Sequence, residues 1–251
     1  MKTQTLTILS TLLLLSCTSQ VQQGTPTAKE ALTDNEKTPA LIQTESRKPN
    51  DIVDAAALEK NLEITMVYGT AINFTGTVVP GYQAHRCYLQ KNAAQALAKA
   101  AIQAEPLGYR LHVLDCYRPQ RASNYFMQWL DKPETQASKA SYYPKLSKAE
   151  LRDHYIAEYS SHSRASTVAV TLLRKDTTGQ WSYVNMGSSF DFFDPLSHIN
   201  STAISKEEKA NRLLLKDLMQ QQGFAPYELE WWHFTLQNES YPNTYFDFVV
   251  N

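Results

Sequence analysis

Two short clusters contain residue types that can hold a metal ion and transfer a proton. They are Ser160-Ser161-His162-Ser163-Arg164 and Glu230-Trp231-Trp232-His233. Catalytic zinc sites use neutral imidazoles and carboxylates as ligands and leave one coordination position for water. A glutamate in such a site, here Glu230, can take a proton from that water and return it to a leaving amine. The clusters therefore indicate hydrolysis at a zinc ion, and the alternative is that each histidine is an isolated, hydrogen-bonded residue.

The same clusters belong to a longer series of motifs along the chain. The series consists of Asn73-Phe74-Thr75-Gly76, Asp115-Cys116-Tyr117-Arg118-Pro119, Ser160 to Ser166, Met186-Gly187, Phe190-Asp191, Glu230 to His233 and Tyr245-Phe246-Asp247-Phe248. In order and length these motifs resemble those of the D-alanyl-D-alanine dipeptidases associated with vancomycin resistance. The resemblance covers nearly all of residues 64–251. It implies the hedgehog/D-Ala-D-Ala peptidase fold and a Zn²⁺ cofactor.

The resemblance implies a role for each residue that matches a family motif. His162 and His233 match zinc ligands, and Glu230 matches the catalytic base. Arg118 matches the arginine that stabilises the oxyanion of the tetrahedral intermediate, a role that suits a permanent cation in a closed pocket.

The resemblance also implies the substrate, the small dipeptide D-Ala-D-Ala. Ser160 and Asp191 match residues near the substrate ammonium group. A carboxylate at that end of the pocket explains a requirement for a free amine. Hydrolysis of this dipeptide belongs to cell-wall metabolism.

One position departs from the family pattern. The family motif places an aspartate, the third zinc ligand, seven positions after the first histidine, and Ala169 stands there in this chain. A methyl group cannot coordinate a metal. Ala165 likewise replaces the usual glycine, and no aspartate at 176, 191 or 194 has the right spacing. Losing even a group that only supports a ligand costs about 10–100-fold in affinity or activity, so we expect weakened zinc binding and impaired hydrolysis.

Hydrophobic periodicity predicts the elements that position these residues. Helices are predicted over 91–103, 119–130 and 205–222, and strands over 109–116, 167–173, 181–185 and 229–236. In strand 167–173, Ala169 shares a face with Thr167 and Thr171, opposite the apolar face of the strand. A ligand that faces a cleft is expected on that face. Mixed helices and hairpin-linked strands indicate an α+β domain with an antiparallel central sheet flanked by helices.

The composition indicates one folded domain and excludes some partners. The chain has 251 residues and a formal net charge of −1, which argues against nucleic-acid binding because no basic excess is present. The first aromatic residue is Tyr68, and no second break in composition follows residue 50. We therefore expect a single dipeptidase-like domain over 51–251.

The amino terminus has the pattern of an export signal. An apolar stretch after Lys2 is too short to span a bilayer and leads to Cys17 in a sequence that resembles a lipobox. We expect a lipoprotein-type signal peptide over 1–17, a lipid-modified Cys17, and location on the periplasmic side of a bacterial membrane. The alternative is an ordinary cleaved signal. Residues 18–50, which lack aromatic residues, are predicted to form a flexible tether.

The two remaining cysteines, Cys87 and Cys116, are a candidate disulfide because an exported protein meets an oxidising compartment. The alternative is a pair of buried thiols.

Other residues are expected to have structural roles only. Arg121 and Arg164 are expected to form ion pairs, and Trp231 and Trp232 to pack in the core or the pocket wall. The histidines at 85, 112, 154 and 198 are expected at the surface or in packing contacts.

Three functions remain open from the sequence. The first is zinc-dependent hydrolysis of D-Ala-D-Ala. The second is non-catalytic binding of this dipeptide or of peptidoglycan stem peptides, which Ala169 favours. The third is cleavage of longer wall peptides by a related peptidase. Contact with a membrane is expected only through the lipid anchor, and the sequence sets no oligomeric state.

Overall fold

The structure is a computed structural model, and it describes residues 42–251. The predicted signal peptide with Cys17, and residues 18–41 of the predicted tether, lie outside this range. Across residues 42–251, no helix combines the length and apolar character needed to cross a membrane.

The described chain alternates short strands with helices. The strands are β1 (Gln43–Glu45), β2 (Ile52–Asp54), β3 (Glu63–Ile64), β4 (Tyr88–Gln90), β5 (Tyr109–Asp115), β6 (Thr167–Lys175), β7 (Trp181–Tyr183), β8 (Phe224–Tyr227), β9 (Glu230–Leu236) and β10 (Thr244–Phe246). The α-helices are α1 (Lys91–Ala104), α2 (Gln120–Leu130), α3 (Gln136–Tyr142), α4 (Lys148–Leu151) and α5 (Lys206–Gln220). Single-turn 3-10 helices lie at Ala55–Ala57, Val67–Gly69, Glu105–Leu107, Ser161–Arg164 and Pro195–Ser197.

The main sheet has the order β3-β5-β6-β9-β8, and β7 pairs with the carboxyl-terminal end of β6. Strands β5, β6, β9 and β8 are antiparallel neighbours, whereas β3 joins β5 in parallel. The predicted α+β class with an antiparallel central sheet is confirmed, apart from this one parallel edge strand.

Strand β6 lies in the middle of the sheet and carries Ala169. Because β5 and β9 flank it and both faces are covered, every residue from Thr167 to Leu173 is buried. Val168, Ala169 and Val170 all pack in the hydrophobic core, and Ala169 also lines a cavity. The alternation of the strand therefore places Ala169 on the opposite face from its two valine neighbours.

Helices α1 and α5 pack against the sheet and against each other. The buried side of α1 is mostly alanine, and such small side chains let the helix approach the strands closely. Helix α5 begins with the predicted capping box, in which Ser205 and Glu208 each bond the other's backbone N–H group. Gly223 follows at φ +87°, which suits a residue without a Cβ atom after the helix end.

The folded part begins earlier than the sequence predicts. Residues 43–45 fall within the predicted tether, yet they form β1 and pair in parallel with β10. The Gln43 N–H donates to the Asn243 carbonyl at 3.0 Å. All three residues of β1 are exposed, so backbone hydrogen bonds alone attach it. The amino-acid composition of a segment indicates only whether its side chains can be buried. A strand whose side chains are all exposed therefore cannot be predicted from composition.

Cys87 and Cys116 are joined by a disulfide with a Cα–Cα distance of 5.3 Å, which is the predicted pairing. It links the residue before β4 to the residue after β5. Both cysteines are fully buried. The bond therefore fixes the chain beside Arg118, two residues further on.

Candidate active site

The residues that the sequence assigns to chemistry surround one cavity of about 280 Å³. They come from segments far apart in the chain and all contribute to its lining: Arg118, Ser160, His162, Ala169, Asp191, Glu230 and His233. Aromatic side chains complete the wall, among them Tyr68, Phe126 and Trp232.

A short 3-10 turn presents His162 to the cavity. Ser160 caps this turn, because its Oγ accepts the His162 N–H at 3.3 Å. The turn ends at Ala165, whose N–H donates to the His162 carbonyl at 3.1 Å. Ala165 has φ +57°, in the left-handed region that favours glycine. The glycine expected from the family would fit this turn without strain.

His162 is buried, and its ring orientation is fixed by the backbone. Its Nδ1 lies 2.6 Å from the Cys116 carbonyl oxygen. Burial first, and then the charge of Arg118, holds the pKa of His162 well below its usual value, so the ring is neutral. A carbonyl oxygen only accepts hydrogen bonds, so Nδ1 carries the hydrogen and Nε2 keeps a free lone pair. A ligand histidine needs this tautomer.

The second imidazole, His233, stands perpendicular to the first. The ring centroids of His162 and His233 are 4.9 Å apart with an interplanar angle of 89°. Nδ1 of His233 lies 3.3 Å from a carboxylate oxygen of Glu230. Its Nε2 lies 3.3 Å from the hydroxyl of Ser161. Both histidines and the candidate base therefore meet at one point of the cavity.

Ala169 lies beside these groups, directly across from residues on both neighbouring strands. It pairs with His233 on β9 and with Asp115 on β5. A bulge at Leu114 causes the second pairing, because without the extra residue Leu114 would stand opposite Ala169. The bulge therefore turns the carboxylate of Asp115 toward the site.

The donor set does not match a three-ligand zinc site. Among residues 42–251, no group of three or more His, Cys, Asp or Glu side chains is placed to hold a metal ion. His162 and His233 supply two imidazoles, and the third position presents the methyl group of Ala169. Catalytic zinc normally has three protein ligands and an open position, so this arrangement is a partial site.

Asp115 joins Arg118 to the rest of the site. Both side chains are largely buried, and Arg118 Nη2 donates to Asp115 Oδ2 at 2.8 Å. The Tyr82 hydroxyl donates to the other oxygen of Asp115 at 2.8 Å, and His162 Nδ1 lies 3.4 Å from Oδ2. Burial raises the pKa of Asp115, while Arg118 and the Tyr82 hydroxyl act against this shift. The carboxylate orients the candidate oxyanion-binding arginine and lies beside a candidate ligand.

Tyr68 links Arg118 to Asp191. Its ring lies 4.9 Å from the Arg118 guanidinium, and its hydroxyl donates to the two carboxylate oxygens of Asp191 at 3.2 and 3.0 Å. Asp191 is buried and has φ +58°. Burial, followed by the charge of Glu230, raises the pKa of Asp191 well above its usual value. A ligand ammonium beside it would favour the charged form.

The sequence predicts no role for Asp115 or Tyr68. Asp115 stands in a family-like motif three residues before Arg118, and this position was the available signal. Tyr68 had no signal beyond being the first aromatic residue. Their importance depends on contacts between distant segments, which spacing does not encode.

The structural interpretations of the other residues mostly agree with the fold. Arg121 pairs with Asp247 and Arg164 pairs with Glu239. Both tryptophans before His233 are buried, and Trp232 lines the cavity. His154 also contributes to the cavity wall, where the sequence predicted only a surface or packing role.

A buried arginine, a glutamate and two imidazoles around a semi-enclosed space are groups that peptide-bond hydrolysis uses. A peptidase is therefore the class of protein that the fold and this site define. The profile of the family described as D-ala-D-ala dipeptidase matches residues 48–251, and the chain belongs to this family.

Curated relatives carry the same description. A D-alanyl-D-alanine dipeptidase of Enterococcus faecium is 46% identical over 184 residues, which are 73% of this chain and 90% of the relative. One from Streptomyces coelicolor is 44% identical over 184 residues, with the same two coverages. One from Escherichia coli is 35% identical over 196 residues, which are 76% of this chain and 88% of the relative.

Proposed function

We propose that this chain binds the dipeptide D-Ala-D-Ala in the cavity and hydrolyses it in cell-wall metabolism, in a zinc-dependent reaction that Ala169 impairs. The observation that carries the proposal is the convergence of Arg118, Asp191, Glu230 and both histidines on one cavity. Membership of the dipeptidase family supports the substrate.

Asp191 is the proposed partner of the substrate ammonium. It is a buried carboxylate at the cavity wall, and it accepts hydrogen bonds only from Tyr68 among the described side chains. A cationic ligand would offset its burial. Ser160 lies in the same lining and supports this end of the dipeptide.

Arg118 and Glu230 are the proposed catalytic residues. Arg118 is held by Asp115 and keeps a permanent charge at the cavity wall, where it would stabilise negative charge on the reacting carbonyl oxygen. Glu230 is buried and lies at the same wall, where it would accept a proton and deliver it to the leaving amine.

Zinc is the proposed metal because neutral imidazoles suit it. His162 and His233 are the residues that would hold it. Two ligands bind more weakly than three, so we propose low zinc occupancy and low turnover in the present chain.

The second candidate function is non-catalytic binding of D-Ala-D-Ala or of peptidoglycan stem peptides, and Ala169 is the observation that favours it. Calorimetry with D-Ala-D-Ala, followed by an assay for released D-alanine with and without added zinc, tests both functions. Zinc-stimulated release supports the dipeptidase. Binding without release at any zinc concentration supports the binder, and cleavage of longer stem peptides alone supports a related wall peptidase.

The proposal extends to the location of the protein. The lipobox-like sequence at Cys17 supports export and attachment by a lipid on the periplasmic side of a bacterial membrane. There the domain would meet peptides released from the cell wall.

A further inference from the structure

Arg212 on α5 lies outside the cavity lining, yet it is among the most buried charged residues, with 1% of its surface exposed. Its guanidinium donates hydrogen bonds in three directions. Nε donates to the Met186 carbonyl at 2.6 Å, and Nη1 donates to the Leu196 and His198 carbonyls at 2.9 and 2.8 Å. Nη2 donates to the Ser188 hydroxyl at 3.3 Å.

These acceptors are the two ends of one irregular segment, residues 186–198. Met186 and Ser188 lie near its start, and Leu196 and His198 lie at its end. Asp191 is near the middle, in the left-handed backbone conformation that a surrounding structure has to hold in place. Arg212 therefore closes the segment that carries Asp191.

A chain of hydroxyl groups connects Arg212 to strand β9, which carries Glu230. The Ser197 hydroxyl donates to the Phe192 carbonyl, so the Ser188 hydroxyl has to donate to Ser197, 2.8 Å away. The two lone pairs of Ser188 then accept from Arg212 and from Trp231 Nε1, which is 2.9 Å away. Trp231 immediately follows Glu230. The segment and strand β9 are thus connected with every hydroxyl satisfied.

The arrangement uses properties that only arginine has. Among the described residues, no carboxylate forms an ion pair with Arg212, and its partners are backbone carbonyls and a hydroxyl. Burial lowers the pKa of Arg212 to about 10, so it stays charged at neutral pH. A planar fork can reach several fixed acceptors at once, whereas a lysine ammonium is a single point.

We propose that Arg212 is a positioning residue that holds segment 186–198 so that Asp191 faces the cavity, and that it thereby sets the preference for ligands with a free ammonium group. This inference rests on the proposed role of Asp191. It goes beyond that role by assigning the preference to a residue that touches neither the cavity nor the ligand.

The test compares Arg212→Gln with a control, Lys148→Gln. Lys148 is also a buried cation bound to backbone carbonyls, those of Trp129, Lys132 and Pro133, but it lies outside segment 186–198. Calorimetry measures binding of D-Ala-D-Ala and of its N-acetyl derivative, which lacks the ammonium. If Asp191 is misplaced, the substrate ammonium loses its proposed charge-assisted hydrogen bond to this carboxylate. Arg212→Gln should then bind the free dipeptide about 10-fold more weakly and the N-acetyl form with little change.

Lys148→Gln should change both affinities by the same small factor. Equal weakening of the two ligands by Arg212→Gln would overturn the proposal. Arg212→Lys keeps the charge without the fork and should remain defective, so full rescue by lysine would overturn the geometric argument.

Hydrogen exchange of the ligand-free protein tests the same idea without any substrate. In Arg212→Gln, amides of residues 186–198 should exchange at least about 10-fold faster than in the parent and in Lys148→Gln. Unchanged exchange would overturn the positioning role. Faster exchange in a protein that binds neither ligand would uphold the role of Arg212 and reject the proposed substrate.

Discussion

Ala169 and His233 lie directly opposite each other on strands β6 and β9. Side chains in this relationship have Cβ atoms about 4.5–5.5 Å apart and can bind the same small group. Asp115 stands on the other side of Ala169, on β5. Position 169, where the family resemblance implies a third ligand, therefore lies between the carboxylate that holds Arg118 and the second imidazole.

Replacement of Arg118 separates catalysis from metal binding. In an Ala169→Asp background, Arg118→Ala should lower kcat by about 10²–10³-fold, because it removes the charge that we propose to stabilise the oxyanion. Zinc affinity, measured by competition with a chelator, should fall far less. Arg121→Ala is the control, since Arg121 pairs with Asp247. An equal loss of metal and of kcat would show that Arg118 is structural.

Replacement of Asp115 by asparagine should destabilise the fold. Asp115 is fully buried and pairs with Arg118, so the change leaves a buried cation uncompensated and should lower the free energy of unfolding by about 3 kcal/mol. Asp131→Asn breaks an exposed pair with Arg152 and should cost less than about 1 kcal/mol. Urea denaturation compares them, and equal losses would contradict the central role of Asp115.

The disulfide between Cys87 and Cys116 should be present in protein from an oxidising compartment. Alkylation under non-reducing, denaturing conditions should leave both residues unmodified. Closing this loop should stabilise the fold by on the order of 3 kcal/mol, which a comparison of reduced and oxidised protein measures. Recovery of two free thiols without reductant would refute the bond.

The mature protein should begin at a lipid-modified Cys17. Mass spectrometry of protein isolated from membranes should find an acylated amino-terminal peptide. Cys17→Ser should abolish acylation and release the protein from the membrane fraction. A mature amino terminus elsewhere, without lipid, would reject the anchor.

The longer elements were predictable because periodicity records burial. The helix expected over 91–103 is Lys91–Ala104, and the strand expected over 167–173 is Thr167–Lys175. Strands β1 to β4, β8 and β10 were not predicted. They have two to four residues, too few for a period, and their pairing depends on distant segments.

The candidate site was predictable at the level of the residues that line it, because motifs carry their types and spacing. The groups that orient them were not. Asp115 faces the site only because of a bulge in β5, and Arg212 reaches segment 186–198 only because α5 packs beside it. Both features depend on tertiary contacts, so no local sequence pattern predicts them.

Two imidazoles and a candidate base surround position 169, and we propose that one carboxylate at this position would complete a zinc site. Ala169→Asp supplies it, and Ala169→Asn is the control of similar size without a charge. The measurement is release of D-alanine from D-Ala-D-Ala by zinc-loaded protein, with bound zinc counted by elemental analysis. A third ligand fixes the zinc geometry and leaves an open position, so the Asp variant should hold one zinc per chain and hydrolyse the dipeptide far faster than the parent or the Asn variant. An Asp variant that is fully loaded with zinc and still does not cleave D-Ala-D-Ala would contradict the proposed dipeptidase function.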